Sequence, residues 1–213
     1  MERVKAMKEK IILATTSPRR KELAKQMGLD FEIIPSNYEE DMGMKLPPKE
    51  LAKTLAYGKA KDVAKKCEGI IIGADTFVVQ NGKKMGKPKS EQEAFKMLKS
   101  FSNKTHKVYT GIAIINNKTG KEITDCEVTS IKFGKMSDEE IKKYIKTKEP
   151  MDKAGAYAIQ GLGSIFIEKI NGCYHNIAGL PIHLTHKNLK KLGINIFEYE
   201  KWNPNNKSTE ARK

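Results

Sequence analysis

The sequence predicts a mixed α/β fold, a sheet of parallel and antiparallel strands flanked by helices. Three observations carry that expectation. Strand-like and helix-like segments alternate over the first 66 residues, as they do in units that build parallel sheets. Later strands are joined in pairs by tight-turn sequences such as Asn81-Gly82. Between the two regimes, Ile70-Ile71-Ile72 and Phe77-Val78-Val79 form the most hydrophobic run in the chain, at the density of a strand buried on both faces.

The elements follow in order. Ile11-Ile12-Leu13-Ala14 reads as a short buried strand. Ser17 and Pro18 then give an N-cap and a first helical residue, and Gly28 stops the helix after Met27. Phe31-Glu32-Ile33-Ile34 is a second strand ended by Pro35, followed by an acidic loop with Glu39, Glu40 and Asp41. Pro47-Pro48 opens a helix over about 48–66, whose apolar stripe is Leu51, Ala52, Leu55, Ala56 and Val63. Lys59 falls near the middle of that stripe, where its stem either snorkels to solvent or carries the ammonium to a phosphate or carboxylate. The buried run follows, then the Asn81-Gly82 hairpin and Gly86-Lys87-Pro88. Ser90-x-x-Glu93 and Ser137-x-x-Glu140 are capping boxes opening two more helices, with strands over about 106–115 and 121–133 between them. Residues 148–163 are rich in small and charged residues without a clean period, as where backbone approaches something closely. Strands near 164–170 and 173–177 are expected to meet at Asn171-Gly172, and a last helix to run from Gly179-Leu180-Pro181 to Gly193. The expected organisation is a polar lead-in over 1–10, one domain over 11–197 and a polar tail over 198–213.

Composition narrows the class. The chain has 213 residues, 38% of them hydrophobic, with a mean hydropathy of −0.57, as in a globular domain with one sizeable core. No segment offers the roughly 18 apolar residues of a membrane span, and no apolar stretch follows the charged N-terminus as a secretory signal requires. Cys67, Cys126 and Cys173 are odd in number and form no CxxC pair, so neither a disulfide framework nor a structural zinc site is expected, and the compartment expected is the cytoplasm. The net charge of +14 raises nucleic acid as a partner. The charge is almost all Lys and spread along the chain, however, which describes a solvated surface and suits small anionic ligands. Nucleic acid is therefore not expected.

The candidate site centres on Gly73-Ala74-Asp75-Thr76, which interrupts the buried run. A carboxylate there costs several kcal/mol to desolvate unless compensated. Asp75 is either tied to a nearby Lys or to backbone amides, or is a metal-binding or proton-accepting group at the floor of a cleft. Arg19 and Arg20 lie in the first helical turn after Ser17, where the macrodipole disfavours cations. They fit a helix start that holds an anion; exposed arginines tolerated at small cost are the alternative. No GxGxxG follows a strand, and GxxxxGK[ST] and GxSxG are missing. His175, His183 and His186 read as surface histidines. What remains is a set of cations, Arg19, Arg20, Lys59, Lys87 and Lys153, with the acids Glu40, Asp75 and Asp152. These are the groups that phosphoanhydride hydrolysis needs: cations for phosphates, carboxylates for a divalent metal, and a base for water.

Ser17-Pro18-Arg19-Arg20-x-x-Leu23, Gly73-Ala74-Asp75-Thr76, Gly86-Lys87-Pro88, Glu149-Pro150-x-Asp152-Lys153-Ala154-Gly155-Ala156-Tyr157, Ile159-Gln160-Gly161 and Gly179-Leu180-Pro181 closely resemble, in this order, the Maf family of house-cleaning nucleoside triphosphate pyrophosphatases. The resemblance implies an elongated two-lobed α/β fold related to the inosine triphosphate pyrophosphatases, with a cleft between the lobes. It implies hydrolysis of a nucleoside triphosphate to the monophosphate and pyrophosphate, dependent on Mg²⁺ or Mn²⁺. By position it makes Asp75 the proton acceptor, and places Arg20, Glu40, Lys59, Lys87 and Asp152 around phosphates and metal. Ser17 joins the phosphate-binding set and Glu40, Asp75 and Asp152 form the metal set. Arg19, Thr76 and Gln160 match positions of substrate choice, in the combination of the branch that prefers dTTP and UTP. A Gln amide can pair with the O4/N3 edge of thymine or uracil. The family often forms dimers, so a homodimer is compatible with the chain. It has also been linked to septum formation and division arrest, and a non-enzymatic regulator binding a partner or nucleic acid is the competing class.

Overall fold

The computed structural model describes residues 9–198. All but the last two residues of the expected lead-in, and the expected tail after Glu198, lie outside them. Seven strands make one mixed sheet: β1 (Ile11–Ala14), β2 (Phe31–Ile33), β3 (Ile70–Gln80), β4 (Lys83–Met85), β5 (Thr105–Asn116), β6 (Lys121–Phe133) and β7 (Ile167–Asn171), in the order β2-β1-β3-β5-β6-β7 with β4 added to β3. The pairs β2–β1 and β1–β3 are parallel; the rest are antiparallel. Among the described residues, six α-helices flank the sheet: α1 (Pro18–Gln26), α2 (Pro48–Ala64), α3 (Glu91–Phe101), α4 (Asp138–Lys146), α5 (Tyr174–Ala178) and α6 (Ile182–Lys191).

The period-2 alternation of β3 assigns its side chains to two faces. Ile71 and Phe77 pack with Ala56, Leu55 and Leu51 of α2. On the other face, Ile70, Ile72 and Ala74 join a core with Leu23, Ala178 and Leu189, whereas Val78 joins a second core with Phe101, Phe133, Ile141 and Tyr157. The residues between these two cores on β3 are Asp75, Thr76 and Phe77. The α2 face is unusually close-fitting. A Cβ on Gly73 would lie 2.4 Å from the Ala56 carbonyl oxygen, and one on Gly111 would lie 1.9 Å from that of Ala52. Gly111 stands directly opposite Asp75 in the β3–β5 register.

The strand edge explains the cleft. Ala14 of β1 pairs with Gly73, and Met85 of β4 pairs with Val78, while β5 holds the opposite edge from Ile70 to Val79. Ala74 to Phe77 therefore have no strand neighbour on the β1 side, although this is the middle of the longest apolar run. The gap lies beyond the C-terminal end of β1, the place where open α/β sheets bind ligands.

Most predicted elements are present, with three corrections. The expected strand at 173–177 is helix α5, so no hairpin forms at Asn171-Gly172. The run is too short to show a 3.6-residue period, and Thr129 holds its start: the Thr129 hydroxyl donates to the Cys173 carbonyl at 3.0 Å and accepts from the Cys173 N–H at 3.0 Å. Ser90 caps α3 by accepting from the Glu93 N–H, but the Glu93 carboxylate accepts from Lys89 and not from Ser90; the full reciprocal box forms at Ser137 and Glu140. Ser17 occupies the N-cap position of α1 without a side-chain capping bond. The segment without a clean period consists of short 3-10 turns at Glu149–Asp152, Ala154–Ala156 and Leu162–Phe166.

Candidate active site

A cavity of about 710 Å³ opens at the β3 gap, within the size range of small-molecule sites. Its walls come from four places: Ser17 to Arg20 at the start of α1, Asp75 to Val78 on β3, Gly86 and Lys87 after β4, and Asp152 to Lys153 with Tyr157 to Ile159 in the 3-10 segment. Glu40, Lys59 and Gly179 also line it. The sequence-predicted residues Ser17, Arg19, Arg20, Glu40, Lys59, Asp75, Thr76, Lys87, Asp152 and Lys153 thus meet around one space.

Asp75 lies on the α2 face of β3, 4% exposed. Lys59 meets it: its Nζ is 2.6 Å from Asp75 Oδ1 and 2.6 Å from Glu40 Oε1. The ammonium is not snorkelling, since only 12% of the Lys59 side chain is exposed. The loop carrying Glu40 is seated by Tyr38, whose ring packs where a Cβ on Gly58 would be. Ser36 and Asn37, just before, donate to the Asp62 carboxylate. Of the two alternatives for Asp75, the structure shows a carboxylate bound to Lys59 that also lines the cavity. One does not exclude the other.

Thr76 is the next residue and therefore faces the opposite side of the sheet. Its hydroxyl accepts from Arg20 Nη2 at 3.1 Å, while Arg20 Nε donates to the Gly179 carbonyl at 2.9 Å. The guanidinium is folded against the protein, and burial holds its pKa below the ordinary value, with Asp75 and Glu40 acting the other way. Arg20 is therefore a cation kept in place before any anion arrives.

The wall made by the 3-10 segment is clamped from behind. Glu149 Oε1 accepts from the Tyr144 hydroxyl at 2.7 Å and from the Gly163 N–H at 3.0 Å, and Oε2 accepts from the Leu162 N–H at 3.0 Å. The Ala158 N–H in turn donates to the Tyr144 hydroxyl at 3.1 Å. Burial works against ionisation of Glu149, but these bonds outweigh it and hold the carboxyl below its usual range. Tyr157 is anchored by His106, whose Nε2 lies 3.0 Å from the phenolic oxygen.

Two predicted residues stand apart. Asp152 lines the cavity but is mostly exposed and ion-paired with Lys153, away from the Glu40–Lys59–Asp75 contact. Among the described residues, no group of three or more His, Cys, Asp or Glu is placed to hold a metal, so the predicted three-carboxylate set is not assembled. Gln160 is exposed and lies one residue past the cavity wall at Ile159. Sequence reasoning missed Tyr144 and Thr110. A tyrosine within α4 and a threonine within β5 carry no local signal of the distant groups they bond, Glu149 and Asn176. Glu149 was visible only as part of a motif.

A cleft that gathers arginine and lysine side chains and a helix start around two converging carboxylates defines a protein acting on a phosphorylated small molecule. The chain belongs to the Maf-like protein family, whose model matches residues 10–192. It is 54% identical over 176 residues to a protein of Alkaliphilus oremlandii named dTTP/UTP pyrophosphatase, covering 82% of this chain and 91% of the relative. Identity is 46% over 197 residues to the dTTP/UTP pyrophosphatase of Caldicellulosiruptor saccharolyticus, covering 90% and 99%. The structure of the Staphylococcus aureus Ham1 protein aligns with a TM-score of 0.51 at 15% identity, covering 86% of this chain and all of that one, which shows a shared fold.

Proposed function

We propose that this protein is a dTTP/UTP pyrophosphatase, hydrolysing the nucleoside triphosphate to its monophosphate and pyrophosphate. The observation that carries the reading is the pairing of Asp75 with a cation-lined cavity, in a chain whose relatives at about half identity and near-full coverage bear that name. Arg20, Lys59, Lys87 and the α1 start with Ser17 grip the triphosphate, a task for positioned cations and free backbone N–H groups. Asp75, next to Lys59, takes the proton of the water that adds to the α-phosphorus. As the anhydride bond breaks, the cations balance the charge gathering on the pyrophosphate.

The donor set fits a hard divalent ion. Glu40 and Asp75 oxygens both lie within 2.6 Å of one cationic nitrogen, so two carboxylates already converge on a single positive centre. Asp75 and Glu40 would hold Mg²⁺ or Mn²⁺, which when bound supplies further neutralisation of the phosphate oxygens. Asp152, paired with Lys153, lines the same cavity. Arg19 and Thr76 line the space the nucleotide would occupy, and Gln160, next in sequence to the lining residue Ile159, would be the group whose amide meets the base. No helix of the described residues is long and apolar enough to cross a membrane. The regulator reading is not favoured, because the relatives bear the name of an enzyme.

The test is pyrophosphate release from a panel of common and modified nucleoside triphosphates, with Mg²⁺, Mn²⁺ or EDTA. Turnover should be greatest for dTTP and UTP, vanish with EDTA, and fall by about 10²- to 10⁴-fold in Asp75→Asn, the range of a lost proton-transfer group. Near-wild-type turnover by that variant would sink the assignment.

A further inference from the structure

Behind Thr76 runs a buried chain of hydroxyls whose direction of donation follows from the carbonyl at its end. Thr76 Oγ1 lies 3.0 Å from Thr110 Oγ1, and the Thr110 hydroxyl is 2.9 Å from the Asn176 carbonyl oxygen. A hydroxyl has one hydrogen. The carbonyl can only accept, so Thr110 donates to it, and between the two threonines Thr76 is the donor. Thr76 in turn accepts from Arg20 Nη2. The order is Arg20 to Thr76 to Thr110 to the backbone of α5, each group donating onward, an arrangement in which neighbouring bonds strengthen one another.

The far end of the chain is fixed as firmly. The Asn176 side-chain amide donates to the Val108 carbonyl at 3.1 Å and to the Thr129 hydroxyl at 2.9 Å. Thr110, Thr129 and Asn176 are each fully buried. The same helix end supplies the Gly179 carbonyl that accepts from Arg20 Nε. Arg20 is thus bound to α5 twice, once directly and once through two hydroxyls that carry no charge and touch no cavity wall beyond Thr76.

We infer that Thr110 is a positioning residue for Arg20, acting through Thr76, and that Thr76 influences the substrate by aiming the Arg20 guanidinium, having no hydrogen of its own left to offer a base. The inference rests on the reading of Arg20 as a phosphate-gripping group. A fully buried Thr could instead serve packing alone, and the two roles separate by measurement.

The experiment compares the wild type with Thr110→Val, which keeps the shape and removes the hydroxyl, and Thr110→Ser, which keeps the hydroxyl. Readouts are KM and kcat for dTTP, and the affinity for inorganic tripolyphosphate by calorimetry. Thr110→Val should raise KM and weaken tripolyphosphate by about fivefold, the range of one net hydrogen bond, while Thr110→Ser restores both to within about twofold. In an Arg20→Lys background, Thr110→Val should add nothing further, as expected for residues acting through one another. Should Thr110→Val not fold, Thr110→Ala takes its place. Unchanged affinity and KM in a folded variant lacking the hydroxyl overturn the inference, as does an undiminished loss in the Arg20→Lys background. If the wild type releases no pyrophosphate from any nucleotide, the proposed function fails instead, and the tripolyphosphate comparison still decides on Thr110. A wild type that binds no tripolyphosphate overturns the inference too.

Discussion

Lys59 Nζ lies 2.6 Å from Asp75 Oδ1, and 5% of the Asp75 side chain is exposed. A carboxylate this buried depends on its partner, because removing one member of a buried pair leaves the other unpaired in a poor solvent. Lys59→Met should therefore destabilise the fold by about 3 kcal/mol, while Lys59→Met with Asp75→Asn should recover more than half of that. Urea denaturation of the wild type, Lys59→Met, Asp75→Asn and the double variant gives the coupling directly. Additive losses would show that Asp75 is held by something other than Lys59.

Two serines at helix starts should behave oppositely. Ser137 caps α4 with both bonds of the box, whereas Ser17 makes no side-chain bond to α1. Ser137→Ala should cost about 1 kcal/mol. Ser17→Ala should leave stability within about 0.5 kcal/mol but weaken dTTP binding. A large stability loss for Ser17→Ala would assign that hydroxyl to the fold.

Tyr144→Phe removes one hydroxyl that serves both Glu149 and the Ala158 N–H. Leaving those groups unsatisfied should cost about 1–3 kcal/mol and expose residues 158–163 to limited proteolysis. Unchanged cleavage in that segment would mean that the Glu149 contacts to Leu162 and Gly163 hold it unaided.

Burial beside Phe101, Phe133 and Tyr157 pushes His106 from 6.5 down to about 3. The folded protein keeps this ring neutral where the unfolded chain takes up a proton. Its contribution is complete above pH 6.5 and is lost progressively as pH falls from 6.5 toward 3. Stability should thus decline between pH 6.5 and 5, before the depressed carboxyls Glu149 and Asp152 begin to matter. His106→Gln should flatten that decline in urea titrations. An equal slope in the variant would place the proton uptake elsewhere.

The sequence made the fold legible where periodicity was strong. The β3 run, the Asn81-Gly82 turn with positive φ at both residues and the Ser137 box all appear as read. Helix α5 did not, since five residues are too few to distinguish periods and its position depends on Thr129, 44 residues away. In the site, Asp75 stood out because a charge in an apolar strand demands a partner, and Lys59 because it broke a stripe. The roles of Thr76 and Thr110 could not be read, because the direction of a hydroxyl chain is set by long-range neighbours. Gln160 entered by resemblance alone, and it is exposed beyond the cavity wall, while Asp152, read as one of the acids, is ion-paired with Lys153 and takes no part in the Glu40–Lys59–Asp75 contact.

Gly73 and Gly111 bring the backbone of α2 against β3 and β5 with no side chain between them. Nothing compressible separates helix from sheet there, so α2 and these strands move as one body. The inner half of the cavity, with Lys59 and Asp75, is consequently a fixed anvil. The α1 start and the turns between Glu149 and Phe166 draw instead on side-chain hydrogen bonds, those of Arg20 and of Glu149.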